Sequence, residues 1–393
     1  MSQDLYIEVD CRQKNHEGER ICGDVFQSAR IKEEKRIVAV LSDGMGHGVK
    51  ANVLATLTAT MMLNFTKEHK DFERIVEIIT KTLPVCSTRK ISYSTFTALD
   101  ISYSGEVSIL EYDNPECILL RDGEMKEIEW QHFVTEGQQG RKMVMRHARF
   151  QINQHDRVVF FSDGITQSGL GTKFTEGWGR EKLLEFVQET VKKSPGISAT
   201  ELAGRVVTKA ISNDGYHPKD DCSCAVVYFR EPRRLLISTG PPFEESSDAE
   251  MAKRVEDFQG QKIICGATTA DIIARELKQE ITDETEFHDP ELPPVSHMPG
   301  VDLITEGMLT LNKVIQLLKK YDGNIVFGKG PADRIASILL ESDEITFLIG
   351  TKINEAHQDP TLPIELDIRR NVVKKLANLL EKKFLKEVGM EYL

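Results

Sequence analysis

The sequence predicts an α+β fold: an antiparallel β-sandwich flanked by helices, followed by a smaller α/β domain with a C-terminal helix. Three observations predict it. Short runs rich in Val, Ile, Phe and Thr recur through the first 230 residues, joined by tight turns. Helical stripes interrupt or follow those runs instead of alternating with them one by one. Beyond "FREPRRLL" (229–236) the texture changes, and apolar runs alternate with helical patterns as in a parallel sheet. Two domains are therefore expected, 1–232 and 233–393, which suits a chain of 393 residues.

Strands are expected over 5–10, 36–42, 94–102, 106–112, 116–121, 142–152, 157–162 and 222–229, where β-branched and aromatic residues partly alternate with polar ones. "FTALDISYSGEVSILEY" reads as a hairpin turning at Ser104-Gly105. Two helices interrupt the strands early. One runs from Gly48 to about Lys67; the other spans 71–83, with Phe72, Ile75, Val76, Ile79 and Leu83 on one stripe, and Pro84 ends it. Two later helices, "REKLLEFVQETVKK" and "ISATELAGRVVTKAISN", are separated by Ser194-Pro195-Gly196. In the second domain "RLLISTGPP", "KIICGATTADIIARELKQEI", "NIVFGKGPADRIASILLES" and "EITFLIGTKIN" read as strand–helix units, and the tail from Leu366 reads as one amphipathic helix. That tail mixes both charge signs on its polar face, so it is expected to pack or to form a homodimer surface, not to lie on a membrane.

Composition narrows the function. A net charge of -12 argues against general nucleic-acid or anionic-membrane binding. No run of 18 apolar residues and no basic-then-apolar leader is present, and the seven cysteines sit mostly in apolar runs. Reduced thiols in a cytoplasmic protein are expected.

The apolar run "VAVLSDGMGHG" ends at a carboxylate wrapped in glycine, and "VVFFSDG" repeats the ending. Asp43 and Asp163 are thus delivered to strand ends beside Gly44 and Gly164. Gly44 permits a tight bend and leaves its carbonyl free to coordinate an ion. Asp24 in "ICGDVF" and Asp220-Asp221 in "HPKDDCSCAVVYF" occupy similar settings. Any one of these is most often a turn residue. Together, at strand ends sharing one rim, they form a set of hard oxygen ligands suited to Mg²⁺ or Mn²⁺. Without a cation such carboxylates repel one another and hold protons. Two divalent ions remove that penalty and activate water for in-line attack on a phosphate ester.

The ordered set "GD", "SDGMGHG", "SDGIT" and "DDCS" resembles the metal-dependent protein phosphatases of type 2C (the PPM family), and most closely their bacterial branch typified by the stage II sporulation protein E phosphatase. The resemblance covers about residues 5–230. It implies a pair of antiparallel sheets flanked by helices, two Mn²⁺ or Mg²⁺ ions, and hydrolysis of phosphoserine or phosphothreonine. It implies that Asp43 bridges both ions, that the Gly44 carbonyl completes one site, and that Asp24, Asp163 and Asp220 are further ligands. Asp221 is then a neighbour, not a direct ligand. The helices over 48–66 and 71–83 correspond to a regulatory switch, and the implied partner is a phosphorylated, anti-anti-sigma-like regulatory protein. The family's phosphate-holding arginine has no clear counterpart, since neither Arg12 nor Arg20 has its context. His47 either protonates the leaving group or shapes the turn.

Competing readings are weaker. Cys224 and Arg230 have the spacing of a cysteine phosphatase, but "CAVVYFR" is a β-rich run without the glycine an activating loop needs. "GNIVFGKG" imitates a phosphate-binding loop but has Gly330 where a Ser or Thr should hold Mg²⁺. A non-catalytic signalling scaffold would be expected to have lost an acidic position, and all are present. Residues 233–393 have no assigned role. Their glycine-ended strands fit a regulatory or ligand-sensing module, with "GATTADIIAREL" as a candidate anion site, and fit equally a structural domain whose glycines only make turns.

Overall fold

The computed structural model describes residues 5–31, 33–68, 94–136, 142–321, 326–352, 365–384 and 386–393, together with 74, 75 and 78. The chain divides into two compact units, Met1–Glu231 and Pro232–Leu393.

In the first unit, strands alternate across two stacked antiparallel sheets. One sheet holds β1 (Tyr6–Lys14), β6 (Ile118–Arg121), β7 (Glu124–Lys126), β10 (Arg157–Phe161) and β11 (Cys222–Arg230), in the order β1-β11-β10-β6-β7. The other holds β2 (Val25–Ile31), β3 (Arg36–Gly44), β4 (Ser94–Ser102), β5 (Glu106–Tyr112), β8 (Gln131–Glu136) and β9 (Lys142–Gln151), in the order β2-β3-β4-β5-β9-β8. The β4–β5 hairpin turns at Gly105, whose φ of 91° needs glycine.

Strict period-two alternation explains why both faces of the central strands are apolar. Ala39 and Leu41 of β3 and Val158 and Phe160 of β10 fill the core between the sheets, with Leu99, Ile109 and Val227. Val38 and Val40 point the other way, beneath α1 (Gly48–Lys67), where they meet Ala59 and Met62. Val159 and Phe161 face away from the inter-sheet core. They meet Leu183 and Val187 of α3 (Gly179–Lys193) and Leu202 and Val206 of α4 (Ala199–Asn213). Between β10 and α3 lies the single helical turn α2 (Asp163–Thr166). The result is the predicted helix–sheet–sheet–helix sandwich.

Three strands of the first unit escape the sequence reading: β2, the short β7 and β8. The burial of β2 shows no clean alternation, so "VFQSARI" carries little periodic signal. Apart from 74, 75 and 78, the helix expected over 71–83 lies outside the described residues, and so does Cys86. The six described cysteines are all free thiols. Cys224 and Arg230 lie in one straight strand, β11, and the Arg230 guanidinium is committed to Glu8 at 2.7 Å.

The second unit is a sheet of β12 (Arg234–Thr239), β13 (Gln261–Cys265), β14 (Thr282–Asp283), β15 (Ser296–Met298), β16 (Val301–Thr305), β17 (Glu344–Ile349) and β18 (Glu387–Tyr392). The order is β14-β15-β16-β13-β12-β17-β18, with β16, β13, β12, β17 and β18 mutually parallel. Helices α5 (Asp248–Asp257) and α6 (Ala267–Leu277) pack on one face. The other face carries α7 (Met308–Lys320), α8 (Pro331–Glu341) and α9 (Glu365–Phe384).

The tail departs from expectation. It is helical only to Phe384; the last residues form β18, parallel to β17 from Glu344↔Glu387 to Ile349↔Tyr392. Gly389 weakens helix there, and a long-range partner that no local pattern reveals supplies the hydrogen bonds. Of the phosphate-loop mimic, residues 322–325 lie outside the described residues. The rest runs into α8 at Pro331, with Asp333 accepting from the Gly328 amide at 3.0 Å. Among the described residues no helix is long and apolar enough to cross a membrane.

Candidate metal centre

Two antiparallel pairings bring the strand ends together. β2 starts where β3 finishes, with Val25 opposite Ser42, so Asp24 stands beside Asp43. β11 starts where β10 finishes, with Phe161 opposite Cys224, so Asp220 and Asp221 stand beside Asp163. Stacking the two sheets then sets one pair of ends over the other. Asp43 and Asp163, from different sheets, stand close enough for the Asp163 charge to act on Asp43.

Glycine makes the closeness attainable. A Cβ on Gly44 would lie 2.1 Å from the Ala51 carbonyl oxygen of α1, and one on Gly164 would lie 2.2 Å from the Asp221 carbonyl oxygen. A Cβ on Gly23 would lie 2.6 Å from Asp221 Oδ2. The glycines noted in the sequence as turn-formers therefore act chiefly by close packing. Behind Asp43, Ser94 donates to its backbone carbonyl at 2.9 Å and shares a 2.6 Å contact with Ser42.

Neighbouring donors hold four of the carboxylates. Ser223 Oγ donates to Asp24 Oδ2 at 2.6 Å, and Gln167 Nε2 donates to Asp163 Oδ2 at 2.7 Å. The His16 amide donates to Asp221 Oδ1 at 3.0 Å, and the Asp221 amide donates to Asp220 Oδ1 at 2.8 Å. Asp221 is buried and Asp220 only half-buried, so the residue expected to be the mere neighbour lies deeper.

The electrostatics follow. Burial pushes Asp24 up to about 8, against the pull of the Ser223 and Ser162 hydroxyls and with the Asp221 and Asp220 charges adding to it. Burial raises Asp43 well above the usual carboxylate range, reinforced by Asp24, Asp163 and Asp220. Asp163 is also raised, by burial first, with the Asp113 charge adding to it and the Gly164 amide and Gln167 pulling against it. Asp220 rises to about 6 through burial and the Asp163 charge. The site carries more negative charge than its surroundings stabilise.

A divalent cation fits this donor set. Asp24 Oδ1 and Asp221 Oδ2 are buried carboxylate oxygens without a hydrogen-bond partner among the described residues. Such atoms are costly unless a cation or a proton satisfies them. Among the described residues no three His, Cys, Asp or Glu side chains already stand as a ligand cluster.

Sequence reasoning missed three contributors. Asp113, just past β5, adds a negative charge that acts on Asp163. Its position after the strand "EVSILEY" was the available signal. Ser223 and Gln167 gave none, since their roles depend on partners distant in the chain. His47 lies at the lip as the residue before α1, with Nδ1 2.8 Å from Glu19 Oε1.

With the geometry in place, the sequence comparison decides the family. The profile of the stage II sporulation protein E (SpoIIE) family matches residues 33–230, half of the chain. This chain belongs to the SpoIIE family. The match takes in Asp43, Asp163, Asp220 and Asp221, while Asp24 precedes it. No curated protein matches the chain. Among solved structures, the chain is similar to the phosphatase domain of SpoIIE from Bacillus subtilis: 14% identity, 58% of this chain and 94% of that one, TM-score 0.42. It is similar to the SiaA-PP2C domain of Pseudomonas aeruginosa, with 14% identity, 56% and 85% coverage and a TM-score of 0.44. It is also similar to the catalytic domain of the serine/threonine phosphatase PstP, solved with 2 manganese ions, with 16% identity, 57% and 99% coverage and a TM-score of 0.39. The family match begins just before β3 and ends with β11.

Proposed function

We propose that the first unit of this SpoIIE-family chain is a metal-dependent protein serine/threonine phosphatase acting on a phosphorylated signalling protein. The observation that carries the reading is the meeting of Asp43 and Asp163 from two sheets, with Asp24 and Asp220 on the neighbouring strands. Asp24, Asp43, Asp163, Asp220 and the Gly44 carbonyl would hold two Mn²⁺ or Mg²⁺ ions, with Asp221 supporting Asp220. When bound, the ions supply Lewis acidity toward a water and toward the phosphoryl oxygens.

The chain's residues prepare that chemistry. Ser223 holds one oxygen of Asp24 and leaves the other without a partner among the described residues, and Gln167 holds one oxygen of Asp163. Burial of Asp24 and Asp43 makes deprotonation costly in the metal-free chain and favourable once a cation shares the site. The metal-free carboxylates repel a phosphate dianion, so hydrolysis depends on loading. The partner we propose is an anti-anti-sigma-like phosphoprotein, in keeping with the family. Residues 233–393 are proposed to regulate the activity; if phosphates or nucleotides never shift this unit's melting, ligand sensing is excluded.

The test is Mn²⁺-dependent phosphate release by the full chain from p-nitrophenyl phosphate and from a phosphoserine protein. Release that survives chelation, or no release with any divalent ion, overturns the reading. The second outcome leaves a non-catalytic scaffold.

A further inference from the structure

A phosphate monoester approaching this rim meets carboxylates first, so its recognition needs donors placed at the lip. Two imidazoles stand there. The rings of His16 and His47 stack at 4.2 Å between centroids and 15° between planes. Both are tied to the centre through the backbone: the His16 amide donates to Asp221, and His47 follows the Asp43-Gly44 strand end by three residues and leads into α1.

Their orientation is set by carboxylate and carbonyl oxygens. His47 Nδ1 lies 2.8 Å from Glu19 Oε1, and His16 Nδ1 lies 2.7 Å from the Glu17 carbonyl oxygen. A carbonyl oxygen accepts only, and so does an ionised carboxylate, so each Nδ1 carries a hydrogen and donates it. The remaining nitrogen of each ring, Nε2, makes no hydrogen bond to protein among the described residues. Glu19 is itself fixed. Asn15 Nδ2 donates to its carbonyl at 3.2 Å, its amide donates to the His16 carbonyl at 3.1 Å, and its carboxylate packs where a Cβ on Gly48 would lie 2.5 Å from Oε2. The loop 15–19 and the first residues of α1 therefore present two rings with the same tautomer, stacked and half open to solvent, next to the carboxylate centre.

We infer that His16 and His47 form the phosphoryl-recognition element of this site, with Glu19 as the positioning residue that fixes His47. The ligand class is a phosphate monoester or inorganic phosphate. A neutral Nε2 accepts from a singly protonated phosphate, and a cationic ring donates Nε2–H to a phosphoryl oxygen, so either form binds. Stacking keeps both rings in place without consuming those nitrogens. The inference rests on the phosphatase reading, and its test separates the two.

The experiment uses the full chain loaded with Mg²⁺, with inorganic phosphate as the probe and imidazole ¹⁵N NMR as the readout, which needs no turnover. Phosphate should shift the Nε2 resonances of two histidines, and these signals should be missing in His16→Ala and His47→Ala. In steady-state assays, the double variant should raise KM for a phosphoserine peptide and Ki for inorganic phosphate about tenfold or more, with kcat lowered far less and Mn²⁺ affinity unchanged within about twofold. Glu19→Gln, which keeps a hydrogen-bond acceptor for His47, should raise Ki by about two- to threefold only. An unchanged Ki in the double variant, or no histidine shift on phosphate addition, overturns the inference even if hydrolysis is metal-dependent. Absent hydrolysis with intact histidine shifts removes the phosphatase reading and keeps the phosphate site.

Discussion

Asp43 and Asp163 stand at strand ends of two different sheets, close enough for the Asp163 charge to act on Asp43, and burial raises both carboxyls above their usual range. A retained proton is how a buried carboxyl tolerates a neighbouring charge without a cation.

If that closeness exists to hold metal, the pair costs stability when empty. Asp43→Asn should raise the stability of the metal-free chain at pH 8 by about 1–2 kcal/mol, because a carboxyl whose charge burial disfavours no longer has to be neutralised on folding. The same change should abolish Mn²⁺-dependent phosphate release. Asp163→Ala should also abolish it, with the far-UV circular dichroism unchanged. Melting curves with and without Mn²⁺ check the first effect, and a phosphate-release assay checks the second.

Loading should release protons. Asp24 is pushed up to about 8 and Asp220 to about 6, so at pH 7 Asp24 still holds its proton and must give it up to bind a cation. The apparent Mn²⁺ affinity should therefore rise with pH between 6 and 8 by up to about tenfold per unit for each proton released. Titration calorimetry in two buffers of different ionisation enthalpy should count more than one proton released at pH 7, since Asp43 is raised as well as Asp24.

Close packing at the glycines predicts intolerance of a single methyl. Gly44→Ala would set a Cβ 2.1 Å from the Ala51 carbonyl oxygen and Gly164→Ala one 2.2 Å from the Asp221 carbonyl oxygen. Each should destabilise the chain by about 3 kcal/mol, since backbone must move. Gly46→Ala has nothing within 4 Å but sits at a φ of 90°, so its cost is conformational only, about 1–2 kcal/mol. Denaturant titration of the three variants separates the cases.

A further pH effect lies away from the centre. Glu111 on β5 is fully buried and paired with Arg146 of β9 at 2.9 Å, and the Cys117 amide donates to it at 3.1 Å. Burial outweighs both and lifts its pKa from 4.5 to about 7. The raised value means the folded state favours the protonated acid. Its contribution is complete below pH 4.5 and disappears as pH rises through about 7. Glu111→Gln should flatten the stability profile in that window by about 2–3 kcal/mol. Unfolding free energies at pH 5 and pH 8 for both proteins give the difference.

The strand-end carboxylates were legible because a charge interrupting an apolar run is locally anomalous and the Ser-Asp-Gly ending occurs twice. The sandwich was legible because β3 and β10 are apolar on both faces. What was hidden is non-local. "NHEGE" reads as an ordinary polar loop, and only the fold sets His16 against His47 and its amide against Asp221. β18 was hidden because "EVGMEY" has no periodicity of its own and is a strand only through its pairing with β17. Asp113 was hidden because a lone acid after a strand is most often a turn residue.

The central claim is that separate strand ends gather carboxylates to hold divalent cations, and a Mn²⁺ titration of the full chain followed by electron paramagnetic resonance tests it most directly. The account predicts two bound ions per chain, magnetically coupled, with coupling lost in Asp43→Ala. Unbound Mn²⁺ at millimolar protein, or binding indifferent to Asp43 and Asp163, would contradict it.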